Sequence, residues 1–387
     1  MSIPIKYNLL SLRVRWRSTL ATVLGIGLVV MVFIFVRSLG HGMEATYINT
    51  GDSHNLIVLR KGSTAESSSQ IARDEAHRML YMDGIVRDPQ GNPLASAEII
   101  VLIVLDRIDG SGSANVLVRG IGPRALQLRP KINLVEGRML QPGLQECIVS
   151  RRIADRFTNC RVGNSFQSGK TTWHVVGIFD AQKTAYESEI WVDADEARSA
   201  FKRNFYGSVL IRPVDAAAAE RLKQRILTDK LLSVKVLSES AYYDEQTQSA
   251  GLLRFLASFL AVIMSIGAAF AAMNTMYAAV GARTREIGTL RVLGFRRRQI
   301  YLSFLFESVV LSLLGGAVGS LVSLSFNLLS TGTFSQTTFA EVAFQFRVTP
   351  AMIATGMTFA LVMGVLGGLL PARMAARKPV LDALRSI

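Results

Sequence analysis

Residues 273–320 read MNTMYAAVGARTREIGTLRVLGFRRRQIYLSFLFESVVLSLLGGAVGS. An uncharged apolar run gives way to an arginine-rich excursion, and a second apolar run begins almost at once. The flanking uncharged stretches extend over Phe255–Ala282 and Ser308–Ala340, and two more lie at Ser18–Val36 and Val348–Ala372. Each is long enough to cross a hydrocarbon core, which needs ~20 apolar residues. The run ending at Ala282 would be ~42 Å long as a helix and the core is ~30 Å thick, so it should project beyond the bilayer. The polar stretch SESAYYDEQTQSAG (238–251) before it is the natural extension. The run from Ser308 has a polar tail, STGTFSQTTF (330–339), so its helix should end near Leu329.

Half of the 387 residues are hydrophobic, and the formal net charge is +14. Most of that charge sits in three short segments beside apolar runs. Lys6, Arg13, Arg15 and Arg17 form the first; Arg283, Arg285, Arg291 and Arg296–Arg298 the second; Arg373, Arg377, Lys378 and Arg385 the third. Residues 38–250 are close to neutral. This is the positive-inside pattern rather than a nucleic-acid-binding stripe. With all three clusters in the cytoplasm both termini are inside, and four crossings agree with that. The first apolar run exceeds the 7–15 residues of a signal-peptide core and no prompt A-x-A site follows, so an uncleaved anchor is expected.

The expected fold class is therefore an α-helical membrane protein with four transmembrane helices, one plus three. A large mixed α/β extracytoplasmic domain is inserted between helices 1 and 2. The segments are a cytoplasmic stretch 1–17, helix 18–37, outer domain 38–250 and helix 251–282. A cytoplasmic segment 283–299, helix 300–329, outer loop 330–349, helix 350–371 and cytoplasmic tail 372–387 follow. Within 38–250 the pattern alternates, with turn chemistry at Asp88–Pro93 and Asp109–Ser113 around the strand-like AEIIVLIVL, and helical composition at Ala216–Leu227.

GNSFQSGKT (163–171) has the look of a phosphate-binding loop. Five residues separate its glycines, one more than a Walker loop allows, and TTWHVVGIF after it is β-branched and aromatic rather than helical. It reads as two strands around a QSGK turn. Cys147 and Cys160 form either a disulfide, if the outer compartment is oxidising, or two small buried residues. No metal site is expected, because His41, His54, His77 and His174 are scattered and no C-x₂-C spacing exists.

The excursion 283–294 places Ile287, Leu290 and Leu293 among arginines, on what reads as one side of a short amphipathic helix. Such a helix lies in lipid headgroups or plugs a groove on a cytoplasmic partner, and its chemistry favours neither. Glu307 lies ~13 Å into its span, where an ionised carboxylate costs ~2.5–3.5 kcal/mol on insertion scales. It is either a coupling residue or a carboxylate bonded to an Arg or hydroxyl of a neighbouring helix. Asn274 can hydrogen-bond another helix. Gly315-x-x-x-Gly319 and Gly364-x-x-x-Gly368 permit close helix approach, within one subunit or at a dimer seam.

Taken together, these segments resemble the MacB/FtsX-type permease subunits of ABC transporters, which include macrolide exporters and lipoprotein-releasing permeases. The resemblance rests on Asn-Thr-Met (274–276), RTREIGTLRVLG (283–294), Glu307 followed by LLGGAVG (313–319), and PARMAARKPVLDALR (371–385). VEGRMLQPGLQECIVS (135–150) and the hairpin at 162–179 fit the family's outer domain, whereas 55–130 is generic. The resemblance implies a non-catalytic permease of the bacterial inner membrane that has no cofactor of its own, with ATP and magnesium bound by a partner ABC ATPase. Thr284, Arg285, Glu286, Ile287, Gly288, Leu290, Arg291, Leu293 and Gly294 would be the ATPase-coupling segment. Stalk extensions of the first two spans would relay movement to the outer domain. Expected partners are the ATPase, a second permease copy or paralogue, the bilayer, and, for an efflux system, a periplasmic adaptor with an outer-membrane channel. The rival reading is an FtsX-like regulator of an extracytoplasmic cell-wall hydrolase.

Overall fold

In the computed structural model, residues 14, 16–248, 251–328, 330–334 and 340–378 are described. The chain divides into a helical unit (1–42, 252–329 and 345–387) and an inserted unit (43–251 and 330–344). Six helices matter for function: α1 (Trp16–Thr50), α2 (Glu239–Gln248), α3 (Gly251–Ala282), α4 (Thr284–Val292), α5 (Arg297–Ser323) and α6 (Pro350–Arg377). Four of them, α1, α3, α5 (with its continuation to Asn327) and α6, are long and apolar enough to cross a membrane. With 35 residues, α1 would run ~52 Å, well past a hydrocarbon core.

Close packing in the helical unit depends on glycine. A Cβ on Gly319 would lie 2.3 Å from the Gly27 carbonyl oxygen, and one on Gly315 2.9 Å from Ile26 and from the Val23 carbonyl. These two glycines therefore seat α1 on α5. On the other side of α5, a Cβ on Gly364 would meet Ser312 Oγ at 2.0 Å, and one on Gly368 would meet Ser308 Cβ at 2.5 Å. Ser308 donates from Oγ to the Gly364 carbonyl at 2.8 Å, so the seam has a polar fastening as well. All four glycines of the two G-x-x-x-G motifs thus pack within one chain.

The inserted unit is built on a sheet of ten strands: β1 (Leu56–Arg60), β2 (Ala95–Asp106), β3 (Ser113–Ile121), β4 (Asn133–Gly137), β5 (Glu146–Ser150), β6 (Ser165–Ser168), β7 (Thr171–Asp180), β8 (Glu189–Asp193), β9 (Ser208–Ile211) and β10 (Val234–Ser238). Their order is β10-β1-β9-β2-β3-β8-β5-β7-β4, with β6 beside β7. Apart from β4, whose residues are exposed, the strands are largely buried on both faces, so side chains of period two feed different cores. Leu56 and Val58 pack with Leu222 and Ile226 of the helix Ala216–Thr228, whereas Ile57 and Leu59 face Tyr47, Tyr242 and Tyr243. Cys147 and Val149 likewise point away from Ile148.

The Walker-like segment is a hairpin. Ser168 pairs with Thr171, and Gly169 takes φ +62° in the two-residue turn. Strand on both sides leaves no helix N-terminus for a phosphate. Cys147 and Cys160 are unbonded and buried in one apolar cluster.

The segment 330–349, read from sequence as a loop, contains two strands, β11 (Ser330–Phe334) and β12 (Glu341–Gln345), which pair with each other. Residues 330–344 belong to the inserted unit rather than to the helices they connect. The reason is local: Ala340 is buried against Ile100 and Leu117, and the Glu341 carboxylate accepts from Arg107 and Arg156.

Candidate functional site

Arg283 caps the N-terminus of α4, and although it lies among exposed arginines it is only 4% exposed. Its Nη1 donates to Glu307 Oε2 on α5 at 2.9 Å and its Nε to Glu286 Oε2 at 2.7 Å, while the guanidinium lies 5.3 Å from the Phe304 ring. Glu307 is buried too, at 5%. A carboxylate and a guanidinium at this depth are each costly alone and tolerable together. The pair therefore joins the turn between α3 and α4 to the middle of α5. Lys378 Nζ adds a bond to Thr284 Oγ1 at 3.0 Å, tying the end of α6 to the first turn of α4.

The far end of α4 closes as a Schellman motif. Phe295 N–H donates to the Leu290 carbonyl at 3.1 Å and Gly294 N–H to the Arg291 carbonyl at 3.2 Å. Gly294 sits at φ +92°, where a side chain would be strained. Gln299 Oε1 then accepts from Arg296 N–H at 2.7 Å, starting α5 after four connecting residues. The excursion is thus a rigid helical wedge held at both ends.

Its apolar residues do not share a face, contrary to the sequence reading. Ile287 is 2% exposed and packs with Met276, Val280, Ile300 and Phe304, with Gly288 buried beside it. Leu290 is half-buried, while Val292 and Leu293 are 62% and 69% exposed. A spacing of three drifts ~60° per step on a helix, so Ile287 and Leu293 end up ~120° apart. Inward residues anchor the wedge and outward ones present an apolar tip. Arg285, Glu286, Arg296, Arg297 and Arg298 are exposed around that tip, and Arg291 is half-buried.

Among the residues singled out from sequence, Thr284, Arg285, Glu286, Ile287, Gly288, Leu290, Arg291, Leu293 and Gly294 are gathered on or just after α4, with Glu307 beside its N-terminus. Asn274 is not part of it; it lies on the exposed side of α3. Sequence reasoning missed Arg283, Phe304 and Lys378. The available signal was Glu307 itself: a carboxylate at that depth requires a cation, and Arg283 begins the loop that returns beside it.

A second polar centre lies in the inserted unit. Arg119 on β3 donates to Glu189 from Nε at 2.7 Å, and from its Nη atoms to Glu66 at 3.0 Å and Glu98 at 2.7 Å. Arg129 completes Glu98 with two bonds of 2.7 Å. Burial opposes the ionisation of Glu98, yet Arg129 and Arg119 outweigh it and hold the carboxyl below the usual range. At the start of α2, Glu239 accepts from Asp52 N–H at 3.1 Å, Asn55 Nδ2 at 2.8 Å and the Tyr186 hydroxyl at 2.7 Å. Burial pushes its carboxyl up despite those donors. Gly51 lets the end of α1 lie directly against this point, since a Cβ there would meet Ser240 Cα at 2.6 Å. The ends of α1 and α2 are thereby locked into the sheet by one buried network.

A model of the MacB-like periplasmic core domain matches residues 19–228, and a model of the FtsX-like permease C-terminal region matches 258–380. The macrolide export ATP-binding/permease protein MacB of Shewanella sp. (strain ANA-3) is 25% identical over 415 residues, covering 98% of this chain and 60% of that protein. MacB of Hahella chejuensis is 28% identical over 235 residues, covering 58% of this chain and 35% of that protein. The chain thus spans at most about three fifths of either relative. Among solved structures, the periplasmic region of MacB from Actinobacillus actinomycetemcomitans is 14% identical with a TM-score of 0.39, covering 53% of this chain and 95% of that one. With a MacB-like core model over 19–228 and an FtsX-like model over 258–380, the chain belongs to the MacB-like/FtsX-like permease family of ABC transporters.

Proposed function

We propose that this chain is the permease component of an ATP-driven exporter or extraction system of the inner membrane. A partner ATPase moves its extracytoplasmic domain. The observation that carries this reading is the α4 wedge: anchored inward by Ile287 and the Arg283–Glu307 pair, it leaves Val292 and Leu293 exposed at a rigid tip. Solvent does not favour such a tip, whereas an apolar groove on a nucleotide-binding partner does. The basic rim of Arg285 and Arg296–Arg298 matches a groove with an acidic border, and also fits the cytoplasmic side of the bilayer.

In this reading both termini and α4 are cytoplasmic, and 43–251 lies across the membrane. The partner binds ATP and magnesium, since the hairpin at Gly169–Lys170 cannot cradle phosphates. The exposed amide of Asn274 on a largely apolar helix favours a second permease copy against α3. An adaptor and outer-membrane channel would extend the path in a two-membrane host.

The test is co-purification of the ATPase with a permease carrying Val292→Asp and Leu293→Asp, two substitutions that touch no buried contact. Loss of the ATPase with normal membrane insertion is expected. Full retention would remove the docking assignment.

A further inference from the structure

The helical unit holds two apolar cores, and α6 serves both. One joins Val280 of α3, Ile287 of α4 and Phe304 of α5 to Ala372 and Ala375 of α6. The other joins Val30 and Ile34 of α1 to Ala360 and Met363 of α6. All of these residues belong to that one unit. Between Met363 and Ala372 the helix carries Gly364, Gly367, Gly368 and, buried in its interior, Pro371. Proline has no N–H, so the bond that position 371 would give the Gly367 carbonyl does not form, and its ring crowds that carbonyl. Helices bend at such a residue. Gly367 offers no side chain to brace the weakened turn, because α3 lies too close: a Cβ there would be 3.0 Å from Ala272 Cβ and 3.3 Å from the Ala269 carbonyl oxygen.

The two sides of this turn are held by different partners. Before it, the Gly364 carbonyl accepts from Ser308 Oγ at 2.8 Å, and Gly356 leaves room for Ile34 of α1, whose Cδ1 would lie 2.9 Å from a Cβ there. After it, Ala372 and Ala375 share a core with Ile287, and Lys378 Nζ bonds Thr284 Oγ1 at 3.0 Å. We propose that the turn from Gly367 to Pro371 is a hinge: residues 372–378 swing with α4, while the helix before Gly364 stays packed on α1. The hinge stands on packing within the helical unit; that a partner ATPase drives it rests on the permease reading. A helix that only crossed the bilayer would be more stable with alanine at 371. A break where α6 leaves one core for the other lets the second tilt without repacking the first.

The full chain tests this by amide exchange and by spin labels at Leu28→Cys and Arg377→Cys. Both positions are exposed, and the native thiols are buried. A bend of roughly 20° over the ~14 Å from Gly368 to Arg377 displaces the helix end by about 5 Å. With the ATPase bound, ATP should therefore shift the mean label distance by about 3–5 Å. Pro371→Ala should shrink that shift at least threefold and slow exchange of the 368–374 amides at least tenfold. Pro371→Gly, pliant at the same place, should keep both as in the parent. Unchanged exchange in Pro371→Ala would overturn the hinge. Slowed exchange with an undiminished ATP shift would overturn its part in the movement and leave the permease reading intact. No ATP shift in the parent chain, with exchange slowed in Pro371→Ala, would instead sink the permease reading and leave the hinge.

Discussion

Replacing Glu307 tests the anchoring of the wedge most searchingly. Glu307→Ala takes from the buried Arg283 guanidinium its buried carboxylate, while Glu286, which also accepts from it, is exposed. Removing one partner of a buried ion pair costs about 3–5 kcal/mol. Glu307→Gln keeps an acceptor for Nη1 but loses the charge, at about 1.5–3 kcal/mol, the worth of a hydrogen bond to an ion. Replacing both partners by apolar residues, Arg283→Met with Glu307→Leu, should cost little, because two desolvation penalties vanish together. The assay is a double-mutant cycle from denaturation midpoints in mixed micelles, read alongside ATPase co-purification. Co-purification should weaken in Glu307→Ala although residue 307 is remote from the exposed tip. A coupling energy below about 0.5 kcal/mol, the level at which independent sites add, would refute the claim that this pair holds α4 to α5.

Other outcomes follow from the packing and the buried charges. Gly319→Ala should destabilise by about 1–3 kcal/mol or more through overpacking on Gly27, whereas Gly25→Ala, with open space around it, should be neutral; equal midpoints would contradict the α1–α5 seam. Burial raises both thiols, Cys160 to about 12, so Cys147 and Cys160 should resist a thiol reagent at pH 8 until unfolding and then react as two free thiols. A mass matching a disulfide would contradict the unbonded pair. Glu98 has a lowered carboxyl, so its contribution is complete above the ordinary value of 4.5 and is lost as pH falls through its folded pKa. Glu239 is raised, so its contribution is fullest below 4.5 and declines as pH rises through its folded pKa. Glu98→Gln should therefore flatten the acid limb of the stability profile, and Glu239→Gln should relieve the loss at higher pH; the opposite assignment of limbs would contradict the network. Lys170→Ala should leave ATP hydrolysis by the complex unchanged.

Much of this architecture was legible because it is local. Apolar runs marked four helices, and β-branched apolar residues marked β2 and the β6–β7 hairpin, where the glycine spacing and the strand-forming residues after it excluded a phosphate loop. The two G-x-x-x-G motifs pointed to close helix contacts, although which helices meet depends on Gly27 and on Ser308 and Ser312, which no spacing singles out. The rest is non-local. Glu341 finds its arginines 234 and 185 positions away, so a segment polar enough to read as a loop becomes part of the inserted unit. Arg283 resembles its exposed neighbours until α5 returns beside it. The excursion was read as one apolar face because three apolar residues recur at intervals of three, and the helical drift of that spacing divides them between anchor and tip.

The proposed function requires α4 and the inserted domain to lie on opposite sides of the membrane. Single cysteines at Ser111, exposed in the inserted domain, and at Leu293, exposed at the tip of α4, report on it directly, because the native thiols are buried. A membrane-impermeant maleimide applied to spheroplasts should label Ser111→Cys at once and Leu293→Cys only after lysis. Labelling of Leu293→Cys in intact spheroplasts, or of both sites alike, would contradict that placement.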